Sequence, residues 1–127
     1  MSNIWINKLN KVFENPEAKK LLNKYWREKN NRSRYPATGF CYIATEALFY
    51  LIGGLKSGFK PKYLRYKNQH ITHWWLENEE GEILDPTLAQ YGGKNPNYKR
   101  GKGCGFLNGY KRPSRRAKKL IELMEES

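Results

Sequence analysis

The feature that most constrains the fold is an apolar segment in the middle of the chain, which runs from Cys41 to Gly53 (Cys-Tyr-Ile-Ala-Thr-Glu-Ala-Leu-Phe-Tyr-Leu-Ile-Gly). Its alanine and leucine residues recur at helical spacing, and its tyrosine, isoleucine and phenylalanine residues make the other sides apolar as well. A helix that is apolar almost all round belongs in the interior of a protein. We therefore expect a central helix that starts at Cys41 and ends at Gly53 and Gly54, since glycine is a common C-terminal stop.

Amphipathic helices are predicted on both sides of this segment. The apolar residues between Ile4 and Phe13 have helical spacing and indicate a first helix. A second helix is predicted to begin at Asn15, which can cap it, and at Pro16, which suits the first turn, and to carry the apolar stripe of residues 21–26. A last helix is predicted after Ser114, whose hydroxyl can cap its first turn.

The remaining segments predict a loop and a sheet. A polar, turn-rich loop is expected from Lys29 to Thr38, and a short extra strand is expected at Cys104–Leu107 within the glycine-rich residues 92–109. The 127 residues suit a single domain, residues 1–127. The predicted fold is of the α+β class, with the central helix packed on a small, mainly antiparallel sheet and with flanking N- and C-terminal helices. The main strands are predicted at Tyr63–Tyr66, Ile71–Glu77 and Glu82–Asp85.

The loop Glu79–Gly81 predicts a specific hairpin between the last two of these strands. A three-residue loop with glycine at its end is typical of a type I turn followed by a left-handed residue. This turn would place Asn78 opposite Glu82. Asp85 then becomes the diagonal neighbour of His73 on the same sheet face, within reach of its side chain. A shift of one residue would move Asp85 to the other face, so the register decides the prediction.

Cys41, His73 and Asp85 therefore suggest a thiol nucleophile, its base and the group that orients the base. Catalysis by cysteine needs a thiolate, and both a helix N-terminus and a neighbouring imidazole lower the pKa of a thiol. We expect both to act on Cys41, which would attack a carbonyl carbon and form a thioester. The backbone N–H of Cys41 is the first candidate donor to the oxyanion, and the side chains of Tyr35 and Gln90 are candidates for the second donor.

The same residues also allow structural interpretations. A cysteine that begins an apolar helix can be a small buried hydrophobic residue, and a strand histidine can be a structural hydrogen-bonding group. His70 is an alternative base, although it lies in a predicted turn. No metal or other cofactor is expected, because Cys41, Cys104, His70 and His73 lack the paired spacing of zinc ligands.

The charge of the chain predicts an acidic partner. The formal net charge is +12, and the basic residues crowd into three stretches of the sequence. An acidic protein or peptide substrate is the first class of partner, and nucleic acid is the second. In the second case, exposed tyrosine or tryptophan rings would stack on bases. The candidate contact residues are Arg32, Arg34, Lys60, Lys62, Lys99, Arg100, Lys102, Arg112, Arg115 and Arg116.

Three short motifs resemble the papain-like cysteine-enzyme superfamily, and especially its transglutaminase-like branch. In that branch a cysteine starts a helix, a strand of the type His-Ala-Trp-x-Glu follows, and after a tight turn the next strand ends in Asp-Pro-Thr. The resemblance covers roughly residues 35 to 90. Its motifs here are Gly39-Phe40-Cys41, His73-Trp74-Trp75-Leu76-Glu77 and Ile83-Leu84-Asp85-Pro86-Thr87.

The resemblance implies a catalytic core of Cys41, His73 and Asp85 that acts on an amide or thioester. The implied reactions are peptide hydrolysis, glutamine deamidation and acyl transfer to an amine. The chain departs from the papain pattern because no glutamine precedes Cys41 at the distance of the oxyanion residue. A catalytically inactive papain-like binding module therefore stays open as an alternative.

The sequence contains neither an apolar run long enough to span a membrane nor a signal peptide at its N-terminus, so we expect a cytoplasmic protein without a membrane partner. Its two cysteines do not make a disulfide framework. Hydrolysis of peptidoglycan by the same triad would require export or lysis. The small size and basic surface would also suit a virus-encoded protein.

Overall fold

The computed structural model of the protein describes residues 2–66 and 72–126, so His70 and the start of the predicted strand at Ile71 lie outside the described residues. It combines helices with a four-stranded antiparallel sheet, and this confirms the α+β class. The helices are α1 (Ser2–Val12), α2 (Pro16–Lys19), α3 (Lys24–Arg32), α4 (Cys41–Leu51) and α5 (Arg115–Glu126). The strands are β1 (Lys60–Arg65), β2 (Thr72–Glu77), β3 (Ile83–Leu84) and β4 (Lys102–Gly103). Of the helices described, none has the length and apolar character needed to cross a membrane.

The sheet has the strand order β3-β2-β1-β4, and each neighbouring pair is antiparallel. The hairpin between β2 and β3 has the predicted register, with Leu76 opposite Leu84. The N–H of Asn78 donates to the carbonyl of Glu82 at 3.1 Å, and Gly81 adopts a φ of +79°. The predicted turn is therefore confirmed, because glycine supplies the left-handed conformation that ends this loop.

The apolar segment forms α4, whose start at Cys41 was predicted from the sequence. Every residue from Ile43 to Phe49 is buried. The helix ends where Gly53 takes a left-handed conformation with a φ of +115°. Residues of α1, α4 and α5 contribute to one hydrophobic cluster, so α4 lies inside the core.

The single second helix predicted from Asn15 onward is wrong, because the chain forms two helices there. The helix α2 stops at Lys19, and α3 starts at Lys24. The side chain of Asn23 accepts a hydrogen bond from the N–H of Trp26 at 2.9 Å and caps the new helix. A short polar side chain that bonds to the nearby backbone competes with a continuous helix, so the apolar stripe is interrupted.

Two loop boundaries also differ from the predictions. The loop expected from Lys29 begins only at Ser33, since α3 continues to Arg32. The short strand expected at Cys104–Leu107 lies at Lys102–Gly103 instead, where it pairs with β1. The side chain of Phe106 turns into the core, and this burial draws the chain away from the sheet edge.

The last helix begins after Ser114, as predicted. The hydroxyl of Ser114 accepts a hydrogen bond from the N–H of Ala117 at 3.3 Å. The buried carboxylate of Glu46 accepts both the N–H and the hydroxyl of Ser114, each at 2.7 Å. The start of α5 is therefore fastened to the middle of α4 by two hydrogen bonds to a charged group.

Candidate active site

His73 and Asp85 form a buried hydrogen-bonded pair at the β2–β3 hairpin. The Nε2 atom of His73 lies 2.6 Å from Oδ2 of Asp85, and both side chains are nearly inaccessible to solvent. The contact follows from the hairpin register, which places Asp85 just beyond β3 and diagonal to His73 on one sheet face. The predicted contact between these two side chains is confirmed.

The carboxylate of Asp85 has two further donors. The hydroxyl of Tyr98 donates to Oδ2 at 2.8 Å, and the N–H of Thr87 donates to Oδ1 at 3.2 Å. Burial and the nearby charge of Asp85 raise the pKa of Tyr98, so Tyr98 stays protonated and remains a donor. Because the carboxylate atom Oδ2 is an acceptor, Nε2 of His73 is the donor in this hydrogen bond, and a neutral imidazole with this tautomer has its lone pair on Nδ1.

The other ring nitrogen of His73 is buried and makes no hydrogen bond with any of the described residues. Two aromatic rings hold the imidazole in place. The ring of Trp75 stacks on it at 5.7 Å between centroids, and the ring of Tyr91 meets it edge-on at 4.9 Å. A buried basic nitrogen without a partner is costly, so its occurrence here is a pointer to function.

Cys41 lies against the backbone on either side of His73. Its Sγ donates to the carbonyl of Thr72 at 3.5 Å and also lies near the backbone N–H of Trp74. One turn later, the hydroxyl of Thr45 donates to the carbonyl of Trp74 at 3.1 Å. The short strand β3 pairs with β2 only at Leu76 and Glu77. The carbonyls of Thr72 and Trp74 instead accept hydrogen bonds from side chains of α4.

The expected lowering of the Cys41 pKa is wrong for this structure. Burial of the thiol raises the pKa of Cys41 to about 11. The N–H of Trp74 opposes this rise, while the carboxylate charge of Asp85 adds to it. Desolvation of a thiolate outweighs the helix N-terminus, so the resting group is a neutral thiol. Both Cys41 and Cys104 are free thiols, so no bridge joins them.

A cavity of about 370 Å³ opens beside the thiol. His73 and Asp85 lie behind its wall rather than on it, so of the three predicted catalytic residues only Cys41 lines the cavity. The base therefore lies behind the wall of the cavity, and the cysteine lies on the wall. The lining residues are Trp26, Lys29, Thr38, Gly39, Cys41, Tyr66, Thr72, Gln90 and Tyr91.

The two side chains predicted as oxyanion donors are placed differently. Gln90 lines the cavity, and its Nε2 donates one hydrogen to the hydroxyl of Thr87 at 3.0 Å. Tyr35 is not among the lining residues, and its hydroxyl accepts a hydrogen bond from Arg34 at 3.1 Å. Phe40, the N-cap of α4, makes no side-chain hydrogen bond there, so the first N–H groups of the helix lack a side-chain acceptor.

The predicted basic residues do not gather around this cavity. Lys62 is paired with Glu77 at 3.0 Å. Arg100 and Lys102 line a cavity of about 270 Å³, and Arg65, which was not predicted as a contact residue, lines it as well. Two others, Arg115 and Arg116, belong to a third cavity of about 910 Å³. That cavity also contains the unpredicted Lys20, Lys118 and Lys119.

The other predicted basic residues have local settings of their own. Arg32 lies 3.9 Å from Glu28, and the guanidinium of Arg34 lies over the ring of Tyr35. Lys60, Lys99 and Arg112 are exposed.

Sequence reasoning missed the tyrosines of the site. Tyr91 and Tyr98 lie at the end and at the start of two short 3-10 helices after β3, Leu88–Tyr91 and Tyr98–Arg100, which are too short to carry a periodic signal. Burial, a hydrogen bond with Tyr66 and nearby acidic groups raise the pKa of Tyr91. Only the path of the chain brings these rings to His73 and Asp85.

Across residues 2–66 and 72–126, no three His, Cys, Asp or Glu side chains converge in a way that could hold a metal ion. The resemblance to papain-like enzymes rests on the short motifs around Cys41, His73 and Asp85 and stays a prediction. Comparison with protein-family models, with curated proteins and with solved structures gives no match to this chain.

Proposed function

We propose that the protein is a cysteine-dependent hydrolase or acyltransferase that acts on an amide, peptide or thioester bond. One observation carries the proposal. Asp85 occupies Nε2 of His73, and this leaves Nδ1 buried and without a hydrogen-bond partner among the described residues. The thiol of Cys41 touches the same segment of β2 and faces a cavity. A base oriented by a carboxylate and a thiol that contacts the same strand are the two groups that nucleophilic catalysis by cysteine requires.

The reaction begins with a neutral thiol. As Sγ of Cys41 attacks the carbonyl carbon and the C–S bond forms, Nδ1 of His73 takes the thiol proton. The imidazolium then gives this proton to the leaving nitrogen or sulfur as its bond to the carbonyl carbon breaks, and a thioester remains. Water, or an amine in acyl transfer, attacks the thioester while Nδ1 takes its proton. The proton returns to the departing sulfur, and the thiol is restored.

Two donors suit the oxyanion of this reaction. The backbone N–H of Cys41 lies in the first turn of α4, where the helix has no side-chain cap. Gln90 has a second hydrogen on Nε2, since only one is used by Thr87. We propose Gln90 as the second donor, in preference to Tyr35.

The test is acylation by p-nitrophenyl acetate at neutral pH, followed by p-nitrophenolate release and by mass spectrometry of the protein. We expect acetylation of Cys41 before that of Cys104. The variant His73→Gln should lower the acylation rate by about 100-fold, because positioned general bases contribute about 100-fold or more. Asp85→Asn should also lower it, since the amide favours the wrong tautomer of His73.

Cys104→Ser is the matched control and should acylate Cys41 at the wild-type rate, because Cys104 is exposed and away from the cavity. Circular dichroism of each variant checks its fold. Equal acetylation of the two cysteines in the wild-type protein, or a Cys41 rate unchanged in both folded site variants, would overturn the proposal.

A separate observation favours nucleic-acid binding as a second candidate function. Among the described residues, the cavity of about 910 Å³ at α5 is lined by five cationic side chains and by the carboxylate of Glu122, and one of the five, Lys20, is paired with Glu17 at 2.8 Å. Such a surface suits a phosphate backbone. Salt-dependent binding of a single-stranded oligonucleotide that persists in Cys41→Ala would support this function. The five cations are Lys20, Arg115, Arg116, Lys118 and Lys119.

A further inference from the structure

The Cys41 cavity has walls of two kinds. The aromatic residues Trp26, Tyr66 and Tyr91 line it, and Lys29 supplies a positive charge. Its volume of about 370 Å³ is near the lower end of the range of about 300–1,000 Å³ for small-molecule sites. The space therefore suits one side chain or a small acyl group rather than an extended polymer.

The ammonium group of Lys29 is placed where it can bind an anion. Its ammonium group lies over the rings of Tyr25 and Trp26, at 5.1 and 5.6 Å from their centroids. Among the residues with described positions, no carboxylate lies within 4.0 Å of it, and the carboxylate of its neighbour Glu28 lies 3.9 Å from Arg32. The rings hold this ammonium group at the edge of an apolar cavity, and ligand sites combine apolar walls with a few such charged groups that orient the ligand.

We propose that the cavity binds acyl donors in which an apolar or aromatic group lies beside a carboxylate, and that Lys29 recognises the carboxylate. The inference rests on the proposed function for the reaction at Cys41, although the binding itself does not need catalysis. The net charge of +12 acts in the same direction, because it draws anions toward the whole molecule. Lys29 then selects the anion that fits at the thiol.

Two matched probes test the inference by isotope-edited NMR. Phenylacetate and phenylacetamide share the ring and differ in charge. They are titrated into the labelled Cys41→Ser protein, so that no reaction can intervene. We expect phenylacetate to shift the amide signals of Gly39 and Tyr91 and to bind about threefold to fivefold more tightly than phenylacetamide, as a partly exposed ion pair allows. Lys29→Gln should remove this preference, and Lys29→Arg should retain it.

Lys24→Gln is the control, because Lys24 is an exposed lysine of the same helix that does not line the cavity. It should keep the preference for phenylacetate. A preference that survives in Lys29→Gln would assign the carboxylate to the N-terminus of α4 and overturn the inference, as would equal affinities in the unaltered cavity. These outcomes are separate from the acylation test, which depends on His73 and can fail while carboxylate binding persists.

Discussion

At the scale of single residues, a hydrogen bond at Nε2 and contacts with two aromatic rings fix the imidazole of His73. Asp85 accepts from Nε2, and Asp85 is itself held by the hydroxyl of Tyr98. The rings of Trp75 and Tyr91 restrict the plane of the imidazole. Asp85 favours the tautomer with the proton on Nε2, and the two rings favour one orientation of the imidazole, so the nitrogen left for a proton acceptor is Nδ1.

The pH dependence of Cys41 reactivity is the prediction at this scale. A thiol whose pKa is raised to about 11 is almost entirely protonated at pH 7, so iodoacetamide should alkylate Cys41 slowly there. The rate should keep increasing as the pH rises toward 11, because only the thiolate reacts. Peptide mass spectrometry measures the rates of Cys41 and of the exposed Cys104 in one sample.

Cys104 is the internal reference for this measurement. A Cys41 rate that reaches its plateau below pH 8 would mean that the helix N-terminus and the imidazole outweigh burial. The same pH dependence of the Cys41 rate in Cys104→Ser would exclude interference between the two thiols.

At the scale of elements, the β2–β3 hairpin controls the site through its turn. Gly81 has a φ of +79°, and no atom lies within 4 Å of a methyl group built on it. Glycine is therefore required here because of the backbone conformation, and not because a side chain would clash with its surroundings. The turn sets the register, and the register places Asp85 on the face of His73.

The variant Gly81→Ala should lower the free energy of unfolding by about 1 kcal/mol, since alanine is strained in the left-handed region. Gly81→Asn should cost less, because asparagine tolerates this conformation. Urea denaturation measures both. Gly103→Ala is the control, since Gly103 also has open space around it but has no positive φ. A loss of stability in Gly103→Ala as large as in Gly81→Ala would contradict the role of the left-handed conformation.

The tie between α4 and α5 is the second prediction at this scale. Glu46→Ala leaves the N–H and hydroxyl of Ser114 without their acceptor and should lower the free energy of unfolding by about 2 kcal/mol. Chemical denaturation measures the loss, and the exposed Glu125→Ala is the control. Equal stability of Glu46→Ala and Glu125→Ala would show that the two hydrogen bonds add nothing to the docking of α5.

At the scale of the whole molecule, the positive charge is distributed over separate surfaces. One basic cavity lies at β1 and β4, another lies at α5, and Lys29 is the one cation among the described residues that line the Cys41 cavity. Long-range attraction of anions depends on the total charge, whereas selection depends on these local groups. The molecule can therefore attract acidic partners generally and still distinguish between them at each surface.

Charge reversal at α5 tests this distinction. Lys118→Glu with Lys119→Glu should weaken binding of a single-stranded oligonucleotide more than Lys11→Glu with Lys94→Glu, although both pairs change the net charge equally. Fluorescence anisotropy over a series of salt concentrations measures the affinities. Equal weakening by the two pairs would mean that only the net charge matters and that the α5 cavity is not a binding surface.

Much of the framework could be predicted because its causes are local. The apolar pattern of residues 41–52 predicts a buried helix, and the Glu79–Gly81 loop predicts a register through turn geometry alone. The contact between His73 and Asp85 follows from that register. The break before α3 was not predicted, because the apolar stripe continues across it. The side chain of Asn23 accepts a backbone hydrogen bond and so competes with a continuous helix there.

The sequence by itself determined the α+β class, the helix that begins at Cys41 and the hairpin that joins His73 to Asp85, since periodicity and turn chemistry act between near neighbours. Only the tertiary structure decided the state of the thiol, because the burial that raises the pKa of Cys41 comes from distant segments. It also decided which residues share the cavity. Lys29 and Gln90 lie far apart in the chain, and only packing brings both to Cys41.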